Sequence, residues 1–399
     1  MKFSKALKGG AGDRLCVTSG QGAGGMWSCS RRSFLGLAGC AVGGVCVSRT
    51  GVVHGGESYS VALLGDTHFD STDTKHYHAD YLFSSTKARY EAHLKEHVRN
   101  AEMWRERMPA LIRASAACMT DDTAFALQMG DLVQGDCNNP ATHRRMLNYC
   151  FSLIKGAYGG RLPFVMVAGN HDVRGDIPTD GAREAFDAWQ PPMMAKELGQ
   201  TVIGTTFSFR HGPDAFIVVD FNGSRPDFAL VKRLFAESEG ARHTFLVTHG
   251  PAIPSGASRW FLLGAAKRDA ERRELLRIMA AHNTIVLAGH THCLEFYDCV
   301  LPEGRVTQFV ANSVWTSPAL VTPSVKDEGA AAYGNRAKAG KRGKQGRCAL
   351  VEEYRPFVRG YFYAAAAGHY RLEIGPARVA AVFYGGASTV PTRTFVLRG

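Results

Sequence analysis

From Ser58 onward, short apolar runs alternate with stretches of helical periodicity. The runs are SVALL (60–64), FALQM (125–129), FVMVA (164–168), AFIVVD (215–220), TFLVT (244–248) and TIVLA (284–288). Their length and apolar continuity predict buried strands. Residues 87–115 place Leu94, Val98, Ala101, Trp104, Met108 and Leu111 on one helical face, with Pro109 predicting a kink or break in the last third. Residues 265–281 form a second helix, charged on one side, with Leu275, Leu276, Ile278 and Met279 available to a core. This alternation predicts a layered α/β domain. In the last quarter, FYDCVLPEGRVTQFVANS reads as two strands around a turn at Pro302–Gly304, and YRLEI with VAAVFYGG as a final pair around Gly375-Pro376. Between these pairs, residues 325–347 are polar, basic and rich in Gly and Ala, and are expected to form a mobile insertion or long surface loop.

The ends of the apolar runs carry the chemistry. SVALL leads into Gly65-Asp66-Thr67-His68, FALQM into Gly130-Asp131, and FVMVA into Gly169-Asn170-His171-Asp172. TFLVT leads into His249-Gly250, and TIVLA into Gly289-His290-Thr291-His292. Binding sites of layered α/β sheets form at the carboxyl edge of the strands. Residues i and i+2 of an extended segment point to one side, so Asp66 with His68, and His290 with His292, are expected to converge. Two Asp, four His and one Asn are too many donors for one tetrahedral ion, but suit two ions with nitrogen and oxygen ligands. A lone HxH or GD is uninformative, and a single strand-end His such as His249 would favour a packed core histidine. Five such ends in one chain outweigh that reading.

In this order the blocks DxH, GD, GNH[D/E], H and GHxH resemble the calcineurin-like metallophosphoesterases over roughly residues 60–320. The resemblance implies a four-layer α/β/β/α sandwich and a two-metal site. It assigns Asp66, His68 and His292 to the first ion, and Asn170, His249 and His290 to the second. Asp131 bridges both. His171 becomes a proton donor that binds no metal, with Asp172 orienting it. Two ions about 3.5–4 Å apart lower the pKa of a shared water and clamp the attacking and leaving oxygens, while a His near neutral pKa protonates the leaving group. Iron, manganese and zinc all suit these donors. In one departure, many relatives continue the second block with an acid or Asn a few residues on, whereas this chain reads Gly130-Asp131-Leu132-Val133-Gln134-Gly135-Asp136.

Other polar groups carry weaker signals. The segment Thr74-Lys75-His76-Tyr77-His78 reads as a solvated loop that could touch substrate. His143, Arg144 and Arg145 read as a helix surface, though an Arg pair could bind phosphate. His93 and His97 share a helix face at i, i+4 and are expected to pack or cap that helix rather than form a third metal site.

Charge and the amino terminus refine the picture. The net charge of +11 is confined to residues 1–50, at +6, and residues 325–347, at +5, so the body shows no electrostatic footprint for nucleic acid. Ser30-Arg31-Arg32-Ser33-Phe34-Leu35 precedes a Gly- and Ala-rich apolar run too short and too weakly apolar to span a membrane. This resembles a twin-arginine export signal and implies the twin-arginine machinery as a partner. Residues 1–57 are thus expected to be a leader, with Met26 a compact alternative start, and residues 58–399 the catalytic domain. Leu37-Ala38-Gly39-Cys40 resembles a lipoprotein-processing box, so membrane attachment would follow only from lipidation of Cys40. Of ten cysteines, six lie beyond the leader, and some are expected to pair in an oxidising compartment.

The expected protein is an exported, periplasmic or extracellular, hydrolase of phosphate esters. A phosphodiester is favoured, with water activated at the two metals. Two alternatives stand beside it: a phosphomonoesterase of acid-phosphatase or nucleotidase type, and a non-catalytic metal-dependent binding or scaffold protein on the same fold.

Overall fold

The computed structural model describes residues 58–70, 87–136, 140–174, 181–222, 226–254, 261–335 and 345–399. The expected leader, with Arg31, Arg32, Met26 and Cys40, lies outside the described residues, as does the 74–78 segment. No helix among the described residues is long and apolar enough to cross a membrane.

Two sheets carry the domain. The first holds β1 (Tyr59–Leu64), β2 (Thr123–Gln128), β3 (Phe164–Met166), β12 (Gly368–Ile374), β13 (Val379–Gly385) and β14 (Arg393–Arg398), in the order β14-β13-β12-β1-β2-β3. The second holds β4 (Phe207–His211), β5 (Asp214–Val219), β6 (Thr244–Thr248), β7 (Ile285–Ala288), β8 (Leu294–Leu301), β9 (Gly304–Val310), β10 (Ser324–Glu328) and β11 (Val358–Ala365). Its order is β10-β11-β8-β9-β7-β6-β5-β4. Within each sheet a parallel block, β1-β2-β3 or β5-β6-β7-β9, points its carboxyl ends one way.

Helices cover the outer faces. Helices α1 (Lys87–Glu106), α2 (Met108–Ala117), α3 (Pro140–Ala157) and α4 (Ala182–Leu198) belong to the first sheet, where α2 packs on β12 and α4 on β3. Helices α5 (Phe228–Glu237) and α6 (Asp269–Ala281) pack on the second, against β5 and against β8 and β9. A last helix, α7 (Gln345–Tyr354), contributes buried Val351 and Tyr354 to the second sheet's core. The result is the four-layer α/β/β/α sandwich that the family resemblance implies.

The sheets meet through aromatic side chains. Phe216 of β5 stacks on Phe245 of β6 and Phe209 of β4, with centroids 4.5 and 4.9 Å away, and Phe125 of β2 meets it edge-on at 5.2 Å. All four are buried, and each full burial contributes about 1.5–3 kcal/mol. Between the sheets, Tyr59 Oη donates to Asp214 Oδ2 at 2.9 Å. This core holds the two parallel blocks, and so their loop ends, in fixed relation.

Local expectations fare unevenly. The helix over 87–115 breaks at Arg107, because Pro109 lacks an N–H and fits the first turn of a new helix, α2. The Pro302–Gly304 turn joins β8 to β9, and the Gly375-Pro376 turn joins β12 to β13. The segment 325–347 departs from the loop expected there. Its first residues form β10 and pair with β11, and Tyr333 is buried with its Oη donating to the Pro254 carbonyl at 3.0 Å. Residues 336–344 lie outside the described residues. The strand β14 follows the pair expected to be last. Among the cysteines, Cys118, Cys150 and Cys299 are thiols and form no disulfide.

Candidate metal centre

All five polar blocks converge at the carboxyl ends of β1, β2, β3, β6 and β7. The route differs from the one alternation suggests. His68, Asp131, His290 and His292 have φ of 42°, 53°, 72° and 53°, so these residues occupy the left-handed region rather than an extended strand. For a side-chain-bearing residue this conformation is costly and persists only where surrounding contacts impose it. Here they do. Asp131 O accepts from the backbone N–H of both Thr67 and His68, and the His290 N–H donates to both carboxylate oxygens of Asp66 at 3.0 and 3.1 Å. The loops also pack too closely for side chains at two glycines. A Cβ on Gly169 would overlap the backbone N and Oδ1 of Asp131, and one on Gly289 would overlap Asp66 Oδ1.

Two clusters result. Asp66, His68, Asp131 and His292 each offer one donor atom, all within 4.8 Å of one another, and Asp131, His249 and His290 do the same. In the first, His292 Nε2 lies 3.1 Å from Asp66 Oδ2 and 2.9 Å from His68 Nε2, which is itself 3.5 Å from Asp131 Oδ2. In the second, His249 Nε2 lies 3.1 Å from Asp131 Oδ2, 3.2 Å from Asn170 Oδ1 and 3.2 Å from His290 Nδ1. Asp131 belongs to both. All seven residues named as ligands in the sequence are therefore brought together.

The arrangement fits cations. His249 gives its Nδ1–H to the Met129 carbonyl at 2.7 Å, which leaves the Nε2 lone pair facing acceptor oxygens. Asp131 Oδ2 is buried without a hydrogen-bond partner. Acceptors packed against acceptors in a dry site require a proton or a metal ion between them. Burial opposes a charge on His249, yet the carboxylates of Asp131 and Asp66 drive its pKa up to about 10, so without an ion a proton takes that place. Burial alone would also raise Asp131, but the charge of His249 and then His171 holds it well below the usual carboxylate range. The same opposition, with His249 and His292 dominant over burial, keeps Asp66 low. Burial, then His249, holds His290 down to about 4 and keeps it a neutral donor.

His171 stands beside the clusters without joining either, its ring edge-on to that of His68 at 4.5 Å. Its Nδ1–H donates to the Gln134 carbonyl at 2.8 Å, which leaves Nε2 as the free ring nitrogen. Two expectations change here. Asp172 does not orient this ring. Its Oδ1 accepts the Val133 N–H at 3.1 Å and its Oδ2 the Gly169 N–H at 2.9 Å, so the carboxyl ties two ligand loops together beneath the site. Burial, followed by the charge of Asp131, raises its pKa to about 7. Nor is His171 poised near neutrality. Burial, then the Arg174 guanidinium, holds it down to about 3.

Three secondary expectations are also settled. His143 is fully buried rather than on a helix surface, and its Nε2–H donates to the Asp172 carbonyl at 2.6 Å, although Arg144 and Arg145 are exposed. His97 packs as expected, with Nδ1 2.9 Å from Asp70 Oδ1. His93 contributes to no metal cluster among the described residues.

Several supporting residues escaped the sequence. Ser313, just after β9, accepts the Gly65 N–H at 2.9 Å. Trp104 Nε1 donates to the Thr67 carbonyl at 2.8 Å. Asn222 Nδ2 reaches the carbonyls of Ala168 and Gly169, both at 3.2 Å. Gln134 contacts both His68 and His171. Ser313, Asn222 and Gln134 lie in segments that follow a strand end, the one signal that could have marked them, whereas Trp104 lies within α1.

Known structures are similar in outline. A structure of PhoD is 12% identical with a TM-score of 0.47, over 85% of this chain and 68% of that one. Purple acid phosphatase PPD1 from yellow lupin (Lupinus luteus) seeds is 10% identical with a TM-score of 0.49. The match spans 86% of this chain but only 54% of the lupin enzyme. GAP50, described as the anchor in the inner membrane complex of Plasmodium, is 13% identical with a TM-score of 0.44, over 86% and 89% of the two chains. No curated protein matches the sequence. The calcineurin-like phosphoesterase family model matches residues 59–294, which span β1 through the first residue of β8 and contain every candidate ligand. With more than half of its length under that match, the chain belongs to the calcineurin-like phosphoesterase family and is a hydrolase of phosphoric ester bonds.

Proposed function

We propose that this chain is an exported phosphodiesterase whose leader occupies residues 1–57 and whose catalytic domain occupies residues 58–399. The family implies a dinuclear metal centre. In our reading Asp66, His68 and His292 hold one ion, Asn170, His249 and His290 hold the other, and Asp131 is shared. The observation that carries this assignment is the pair of donor clusters with Asp131 common to both. Two cations held there supply water activation and charge compensation for the phosphoryl oxygens; iron, manganese and zinc suit the donors equally.

The remaining chemistry falls to the chain's own side chains. The His171 Nε2 is the free ring nitrogen beside both clusters, well placed to hold and pass a proton. An anionic ester beside the ring favours its protonated form and counters the burial that otherwise keeps it neutral. The preference for a diester rests on charge. Arg174 is engaged by Asp136 through Nε at 2.9 Å and by a second contact through Nη2, and lies 3.5 Å from Glu96. Its charge is largely spent within the protein, and a singly charged diester demands less compensation than a doubly charged monoester.

Initial rates on bis-(p-nitrophenyl) phosphate and p-nitrophenyl phosphate after reconstitution with Mn²⁺, Zn²⁺ or Fe²⁺ test this. A diester preference is expected. A monoester preference assigns the site to a phosphatase or nucleotidase type, and hydrolysis of neither ester by ion-replete protein leaves the binding or scaffold role. Export rests on the Arg31-Arg32 pattern, and Arg31→Lys with Arg32→Lys is expected to retain the protein in the cytoplasm.

A further inference from the structure

Gln134, in the second block, contacts both the candidate ligand His68 and the candidate proton carrier His171. Its side chain is buried, and its Oε1 lies 3.0 Å from His68 Nδ1 and accepts from Asn100 Nδ2 at 2.7 Å. Its Nε2 donates to Glu96 Oε2 at 3.0 Å. Its backbone N–H donates to the Phe69 carbonyl at 3.0 Å, and its backbone carbonyl faces His171 Nδ1.

These partners leave the amide one orientation. A carboxylate only accepts, so the NH₂ group must face Glu96 and the oxygen must face His68 and Asn100. An acceptor 3.0 Å from His68 Nδ1 requires the hydrogen on that nitrogen. The other nitrogen, Nε2, is then a bare lone pair directed at Asp66, Asp131 and His292. Histidine binds a metal through a deprotonated nitrogen, and a hydrogen bond at the opposite nitrogen sets both tautomer and ring angle.

We propose that Gln134 is a positioning residue for the first ion: its side-chain oxygen fixes His68 as the Nδ1–H tautomer, and α1 fixes Gln134 through Glu96 and Asn100. The assignment rests on the two-ion centre described above. Helix α1 thereby supports an ion it does not touch. The His171 contact uses the main chain, so a side-chain substitution at position 134 leaves that donor's acceptor in place and separates the two roles.

The test is calorimetric titration of the full chain with Mn²⁺ in a His290→Ala background, where one binding event reports the Asp66–His68–Asp131–His292 cluster. Gln134→Leu, close in size and lacking both amide groups, is expected to weaken this binding by about 10–100-fold. In a His68→Ala background, binding at the other cluster is expected to be unchanged by Gln134→Leu. Exchanging the two groups, Gln134→Glu with Glu96→Gln, keeps an acceptor toward His68 and a donor between the pair, and is expected to recover most of the lost affinity. The melting temperature of the ion-free chain separates support of the fold from support of the ion. A Gln134→Leu chain that melts lower but binds Mn²⁺ as tightly overturns the assignment, and so does an exchanged pair no better than Gln134→Leu. If the parent chain binds no Mn²⁺ at either cluster, the metal-centre reading itself fails, an outcome distinct from failure at Gln134 alone.

Discussion

Asp131 Oδ1 accepts the backbone N–H of His171 at 2.7 Å, while Oδ2 faces His249 across 3.1 Å. One carboxylate is thus anchored to the loop of the candidate proton carrier and aimed at the centre shared by both clusters. Asp131→Ala is therefore expected to abolish binding of both ions. His171→Ala is expected to keep both and slow turnover by ~10²–10⁴-fold. Metal content by mass spectrometry beside kcat on the preferred ester separates the two. Retention of two ions by the Asp131 variant would remove this residue from the centre.

Asp172 holds two backbone amides rather than the His171 ring. Its replacement by Ala leaves the N–H groups of Val133 and Gly169 without their acceptor, at a cost of about 1–3 kcal/mol for a buried unsatisfied group. Denaturant unfolding should show this loss. A full-strength fold with a displaced pH–rate profile would instead restore the orienting role.

Gly169 and Asp131 approach too closely for a Cβ between their loops. Gly169→Ala should cost about 1–3 kcal/mol as the loop shifts. It should also lower ion affinity, since the shift moves Asn170 and Asp131 apart. Unchanged affinity measured by titration would mean the loop relaxes elsewhere.

Phe216 fills the space between the sheets, away from the metal centre. Phe216→Ala is expected to destabilise the domain by about 3–5 kcal/mol while ion stoichiometry stays at that of the parent chain. Paired thermal melts and metal analysis check both halves.

His369 is buried, stacks on Tyr384 at 5.0 Å and places Nε2 2.9 Å from the Ser388 carbonyl. Burial holds its pKa down to about 4. An unfolded His titrates near about 6.5, so on acidification the unfolded chain gains a proton that the folded chain refuses. Stability therefore falls as pH drops from about 6.5 to about 4 and this contribution then levels off, for a total of up to about 3 kcal/mol. His143, also held down to about 4 by burial, adds a slope of the same sign. His369→Gln should flatten the acid limb of a stability–pH curve by its own share, leaving the shares of His143, His171 and His290, which burial also holds down. An unchanged limb would show that His369 titrates normally in the fold.

Much was legible in the chain because metal donors have few substitutes. Asp66, His68, Asp131, Asn170, His249, His290 and His292 follow apolar runs whose length predicts buried strands, and a layered fold delivers such ends to one edge. The tertiary structure decided how they meet. Left-handed backbone at His68, Asp131, His290 and His292, imposed by hydrogen bonds between loops far apart in the chain, replaces the alternation of an extended strand. The edge strands β10 and β14 were hidden because their polar, half-exposed residues become strands only by pairing. The partners of Asp172, His143 and Gln134 were hidden for the same reason. A buried polar group must find a partner, but only the packed chain determines which one.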